Sequence, residues 1–179
     1  MDFDQATRIL SILKKNIILS KKNKIISVGS IPRYTALLKK KLIIKNNIPK
    51  IKDIDLLIIV NNKSDLNKDI TFKNKNIVNR SKNINLRKRQ FTFKINNKKI
   101  NFDIFLCTQS EKPYALLHFR SAKQYNIRLR RVAKLRGYKL NQYGLFTIND
   151  KKINIRAKTD LDILKYLKVT PRPYWNRLK

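Results

Sequence analysis

The stretch Asp53-Ile54-Asp55-Leu56-Leu57-Ile58-Ile59-Val60 constrains the fold more than any other part of the chain. Its apolar run reads as a buried strand, so the chain must build a sheet and pack against it. Side chains alternate along a strand, which turns Asp53 and Asp55 to one side while Ile54 and Leu56 enter the core. Two carboxylates side by side raise each other's pKa unless a cation lies between them. Hard oxygen ligands of this kind suit Mg²⁺. A solvated pair of acids at a strand start is the plainer reading, and the apolar continuation argues against it.

These acids matter more because the chain has so few. Lys and Arg number 43 against 11 Asp and Glu, a net charge of +32. No acid lies between Asp4 and Asp53, between Asp69 and Asp103, or between Glu111 and Asp150. Such a surface attracts polyanions and releases counterions from a phosphate backbone, so nucleic acid is the expected partner. Codon bias toward Ile, Lys and Asn explains part of the lysine excess but not the shortage of acids. The apolar fraction of 42% is enough for a packed interior. No segment reads as a membrane span, a signal peptide or a clean basic amphipathic anchor. The lone Cys107 allows neither an internal disulfide nor a cysteine-based zinc cluster.

Periodicity predicts a helix over Asp4–Ile18, a short strand Lys24–Val28 ending at Gly29, and an ambiguous segment over 32–50. Gln90–Ile95 and Lys99–Leu106 read as a hairpin about Asn96-Asn97. Beyond residue 107, Pro113–Phe119 and Ser121–Arg136 read as helices, with Ser121 as N-cap and Gly137 as stop. Three short strands follow, then a helix opened by the capping box Thr159–Asp162, then an irregular tail. The fold class expected is α+β, with residues 1–106 and 107–179 as two domains.

Gly29-Ser30 follows a strand, and its N–H groups, with Ser30 and Arg33, could hold a phosphate; alone it reads as a tight turn. Asp103 sits in the core-like strand Asn101-Phe102-Asp103-Ile104-Phe105, where a lone acid needs a partner, either a metal or an ion pair. In order, the strand, Gly-Ser, basic residue, D-x-D strand and later single Asp resemble family X of the nucleotidyltransferases, the DNA polymerase β family. The likeness continues through His118-Phe119, Asn126, Arg130, Gly137-Tyr138 and Asn141-Gln142-Tyr143, and is strongest toward the minimal two-domain viral members.

The resemblance implies a nucleotidyltransferase palm, a mixed sheet with helices, followed by a small α+β C-terminal lobe. It implies a template-directed repair polymerase that fills short gaps by adding dNMP to a primer 3′-hydroxyl. Asp53, Asp55 and Asp103 would be catalytic and would bind two Mg²⁺ ions, with Mn²⁺ as an alternative. Gly29, Ser30, Arg33, His118, Phe119 and Asn126 would bind the nucleotide. Arg128, Arg130, Arg131, Lys134 and Asn141 would bind DNA, a gapped or nicked duplex, with the lysines of 14–52 and 73–99 in support. The enzyme would act as a monomer, without a lyase domain, in a host cytoplasm or virion. Departures are an insertion at 36–49, a single basic residue after Gly-Ser, Arg120-Ser121-Ala122 in place of Thr-Gly-Ser, and Asn101 where a basic residue precedes the third acid. Two other readings fit the same residues: a nucleotidyltransferase that tags RNA or protein, and a basic DNA-binding module with an inactive site.

Overall fold

The computed structural model describes residues 1–81 and 87–177. They form two compact units, Met1–Gln109 and Ser110–Lys179.

The first unit opens with α1 (Phe3–Asn16), one residue earlier than periodicity predicts because Asp2 caps it, its Oδ1 accepting from Gln5 N–H at 2.8 Å. Ala6, Ile9, Leu10 and Leu13 bury one stripe of the helix. The β-branched pair Ile17–Ile18 leaves the helix as β1, which pairs with β4 (Thr71–Phe72). Neither short strand was legible in the sequence. Between them come β2 (Lys24–Val28), α2 (Ser30–Lys39) and β3 (Ile54–Val60). The ambiguous segment thus takes up most of α2 and then a loop with a 3-10 turn at Lys45–Asn47. After β5 (Ile77–Asn79), β6 (Lys88–Ile95) and β7 (Lys98–Thr108) form the expected hairpin, with Asn96 and Asn97 at φ 45° and 59°.

The main sheet runs β2-β3-β7-β6-β5, with β3 and β7 parallel and the other neighbours antiparallel. A mixed sheet with helices agrees with the α+β expectation. Ile54, Leu56, Ile58 and Val60 enter one core with Phe91, Phe102 and Ile104. Leu57 and Ile59, on the opposite face, are also buried. Asp55 is the half-buried exception in this strand.

The second unit contains α3 (Lys112–Arg120), α4 (Lys123–Leu135), an antiparallel sheet of β8 (Tyr138–Asn141), β9 (Gly144–Thr147) and β10 (Lys152–Ile153), and α5 (Asp160–Tyr166). Its core gathers Tyr114, Leu117, Tyr125, Leu129, Ala133, Leu145, Ile163, Leu164 and Leu167. Gly137 adopts φ 76° just past α4, the left-handed stop expected of it. The Thr159–Asp162 capping box is present. Ser121 is not the N-cap of α4: Ala122 takes that position, and the buried Ser121 hydroxyl has no hydrogen-bond partner among the described residues. The tail is not wholly irregular. It makes a short 3-10 turn at Tyr174–Asn176 and buries Arg177, whose Nη1 lies 2.6 Å from Asp160 Oδ2.

Candidate active site

The three acids gather through strand register. Val28, the last residue of β2, pairs with Asp55, and Asp55 pairs with Asp103 across the parallel β3–β7 ladder. Asp53 lies exposed one residue before β3. Burial raises the Asp55 carboxyl, Asp53 and Asp103 raise it further, and Lys88 and Arg33 only partly offset them; the result is about 7. Close packing of like charges is therefore a property of this site in the free protein.

Gly29 shows why the strand must end where it does. Its φ is 75°, and a Cβ there would collide with the Asp55 carboxylate. Only glycine lets the chain turn from β2 into α2 while passing this close to the acid. Gly29 is also the N-cap of α2, so Ser30 starts the helix and Arg33 follows one turn in. The first turn of α2, with the N–H groups of Ser30 and Ile31 and the positive end of the helix dipole, could hold an anion there. Burial lowers the pKa of Arg33, while Tyr34 and Asp55 raise it; the side chain remains a cation facing acids.

Asp103 is held by its own sheet. Lys88 Nζ lies 2.7 Å from Oδ2, and Gln90 Nε2 donates to Oδ1 at 3.3 Å. Asn101, where a basic residue was expected, instead accepts from Thr92 Oγ1 at 3.0 Å. The basic partner of Asp103 thus comes from the neighbouring strand. Sequence reasoning missed Lys88 because only the β6–β7 register brings it there. Among the described residues no three acidic, histidine or cysteine side chains stand ready as a ligand set. Their chemistry still fits a divalent cation: the donors are carboxylate oxygens, and burial with the neighbouring acids raises Asp55 to about 7, a cost that a cation would relieve.

In the second unit, one small hollow brings together His118, Asn126, Arg130 and Asn141, lined also by Tyr114, Leu117 and Leu140. Asn126 Nδ2 donates to His118 O at 2.7 Å and ties α4 to α3. Arg130 Nη2 lies 3.3 Å from His118 Nδ1. Arginine can only donate, so Nδ1 accepts and the imidazole proton belongs on Nε2. Burial, and secondly Arg130, lowers His118 to about 4, so it is neutral at ordinary pH. Phe119 meets the His118 ring edge-on at 4.8 Å between centroids. Asn141 uses its Oδ1 to accept from the N–H groups of Tyr143 and Gly144, at 2.8 and 3.1 Å, which fixes the turn between β8 and β9.

Arg128 faces a different hollow, of about 270 Å³, with Arg136, Lys168 and Arg172. The hydroxyl of Tyr125, which lines it, is buried without a hydrogen-bond partner among the described residues. Four cations around a donor of this kind suit a phosphate. The sequence reading had missed Arg136, Lys168, Arg172 and Tyr125, since α4 and the segment after α5 meet only in the fold. Arg131 and Lys134 are exposed on α4.

The comparisons with known proteins agree with this architecture. A family model described as DNA polymerase beta thumb matches residues 115–178. Repair DNA polymerase X of African swine fever virus, from a South African tick isolate, is 32% identical over 95% of this chain and 86% of its own length. The protein of the same name from a Kenyan pig isolate is 32% identical over 98% of this chain and 89% of its own. The chain belongs to the family X DNA polymerases. A family X relative from Bacillus subtilis, named DNA polymerase/3′-5′ exonuclease PolX, is 37% identical over 28% of this chain and 9% of its own length. The polymerase β of Leishmania infantum, solved as a ternary primer/template complex, matches the whole chain and 77% of its own with a TM-score of 0.72 at 17% identity, a likeness of fold. As a family X DNA polymerase, the protein is an enzyme of a class that uses divalent metal ions. Among its described residues, no helix is long and apolar enough to cross a membrane.

Proposed function

We propose that this polymerase fills short gaps in DNA by adding dNMP units to a primer 3′-hydroxyl. The observation that carries this reading is the facing pair Asp55–Asp103, crowded by Asp53 and flanked by the helix N-terminus that starts at Gly29-Ser30. Asp53, Asp55 and Asp103 would hold two divalent ions, Mg²⁺ or Mn²⁺. When bound, such ions lower the pKa of the attacking hydroxyl and stabilise charge on the leaving phosphate. Ions held there would favour the ionised form of Asp55, whose carboxyl is raised to about 7 by burial and by its acidic neighbours. Asp103 would complete the site nearest the primer 3′-hydroxyl and help to activate it. Ser30, Arg33 and the first-turn N–H groups of α2 hold the triphosphate and neutralise the departing pyrophosphate.

In the second unit, His118, Phe119 and Asn126 meet the incoming nucleotide, with His118 acting as a neutral hydrogen-bond donor through Nε2. Arg128, Arg130, Arg131, Lys134 and Asn141 hold the duplex, and the hollow around Arg128, Arg136, Lys168 and Arg172 receives a backbone phosphate. The lysine-rich stretch 73–99 adds affinity, though 82–86 lie outside the described residues. Repair is the role named for the viral relatives, and a gapped or nicked duplex in a host cytoplasm or virion is the matching substrate and setting. The enzyme works as a monomer.

Extension of a primer across a one-nucleotide gap, with Mg²⁺ and all four dNTPs, tests the reading. The native protein should extend, and Asp103→Ala should lose about a hundredfold to a thousandfold in rate, in line with loss of electrostatic stabilisation in the transition state. Gel shift without extension would instead favour a binding module, and activity unchanged by Asp103→Ala would refute the assigned site.

A further inference from the structure

Of the three site acids, Asp103 has a lysine ammonium in direct contact. Both of its oxygens are engaged from β6, by Lys88 at 2.7 Å and Gln90 at 3.3 Å. Register explains the geometry. Gln90 pairs directly with Asp103, while Lys88 pairs with Phe105 and reaches back along the diagonal. The ammonium also lies 5.6 Å from the centroid of the Phe105 ring, which supports it without fixing it in one place.

The two partners are unequal. The Lys88 side chain is 45% exposed and the Asp103 side chain 15%. A long, solvent-accessible cation has closed on a largely buried carboxylate. A purely structural ion pair would need no more than this, but a second carboxylate stands directly opposite Asp103 at Asp55, and Lys88 acts on it too. One lysine therefore supplies positive charge to two of the three acids. This is the place and the task of a metal ion.

We propose that Lys88 is a positioning residue that holds the place of a divalent cation at Asp103, keeping the carboxylate fixed while no ion is bound and yielding it when one binds. This rests on the reading of Asp53, Asp55 and Asp103 as metal ligands. The ammonium and the ion compete for the same oxygens, so the protein's own cation weakens metal binding in the free enzyme. It also prevents the acids from repelling one another out of register. Once displaced, Lys88 remains a free cation at the edge of the site, available to a strand phosphate.

The test is Mn²⁺ binding to the full chain without DNA or nucleotide, followed by the loss of the free Mn²⁺ resonance signal in electron paramagnetic resonance. Lys88→Met should bind Mn²⁺ roughly five-fold more tightly than the native protein, a change of about 1 kcal/mol. Lys88→Gln should behave alike, which guards against a folding defect peculiar to one variant. Lys88→Arg should restore native affinity. Combining Lys88→Met with Asp103→Asn should abolish the gain, since the gain arises at Asp103. Equal or weaker Mn²⁺ binding by folded Lys88→Met and Lys88→Gln would overturn the proposal. Failure of the underlying metal reading has a different signature: Asp103→Asn alone would bind Mn²⁺ as well as the native protein.

Discussion

Asp55 and Asp103 are direct partners across the parallel β3–β7 ladder, so their carboxylates share one side of the sheet at neighbouring-strand spacing. Burial and the charges of Asp53 and Asp103 raise Asp55 to about 7. In the unfolded chain its carboxyl ionises near the ordinary value of 3.8. Between these two values the folded state binds the extra proton, so the contribution of Asp55 to stability falls as pH rises from about 4 to about 7 and is flat above that. Asp55→Asn should remove this fall and leave the metal-free protein more stable than the native one at pH 8, by about 2–4 kcal/mol. Thermal melts of both proteins from pH 4 to 8 in the presence of a chelator measure it. Mg²⁺ should stabilise the native protein more at pH 8 than at pH 6, because protons compete with the ion at Asp55.

Gly29→Ala should both destabilise the fold and disable the site. The φ of 75° strains any residue with a Cβ, at a cost of about 1 kcal/mol, and collision with the Asp55 carboxylate adds to it. A fall in melting temperature together with lost primer extension is the expected result. Gly137→Ala, also at positive φ but with open space around it, should cost stability alone.

His118 should stay neutral throughout the working range. Its folded value of about 4 lies below the ordinary 6.5, so the unfolded chain takes up the proton first as pH falls. Stability from this group is present above about 6.5 and is lost as pH falls toward 4. Imidazole carbon-bound proton shifts in nuclear magnetic resonance should show no titration above pH 5. Arg130→Met should move the titration upward, because the neighbouring cation would be gone.

Arg177→Met should unfold the tail and weaken the second unit. The guanidinium is fully buried, pairs with Asp160 and donates from Nε to Arg172 O at 2.7 Å. Its removal leaves a partly buried Asp160 without its cation, at a cost of about 3 kcal/mol. Chemical denaturation followed through Trp175 fluorescence reports it.

Features set by neighbouring residues were legible in the chain. The Asn96-Asn97 hairpin, the Gly137 stop and the Thr159–Asp162 cap were of this kind, since each depends on a few adjacent backbone angles or one short hydrogen bond. The same local logic failed at Ser121, where the backbone enters α4 one residue later than the side chain's capping preference suggests. The strands β1, β4 and β5 escaped notice because two or three residues carry too little periodicity to stand out.

The sequence by itself determined which acids could matter: so few occur, and Asp55 and Asp103 interrupt runs that would otherwise be core. Only the tertiary structure decided which residues meet. Parallel pairing of β3 with β7 set Asp55 against Asp103, the β6–β7 register carried Lys88 to Asp103, and the return of the tail brought Arg177 to Asp160. A strand's alternation tells which face a side chain takes, but not its partner across the sheet. That partner follows from register between distant segments, which the packing of the whole unit fixes.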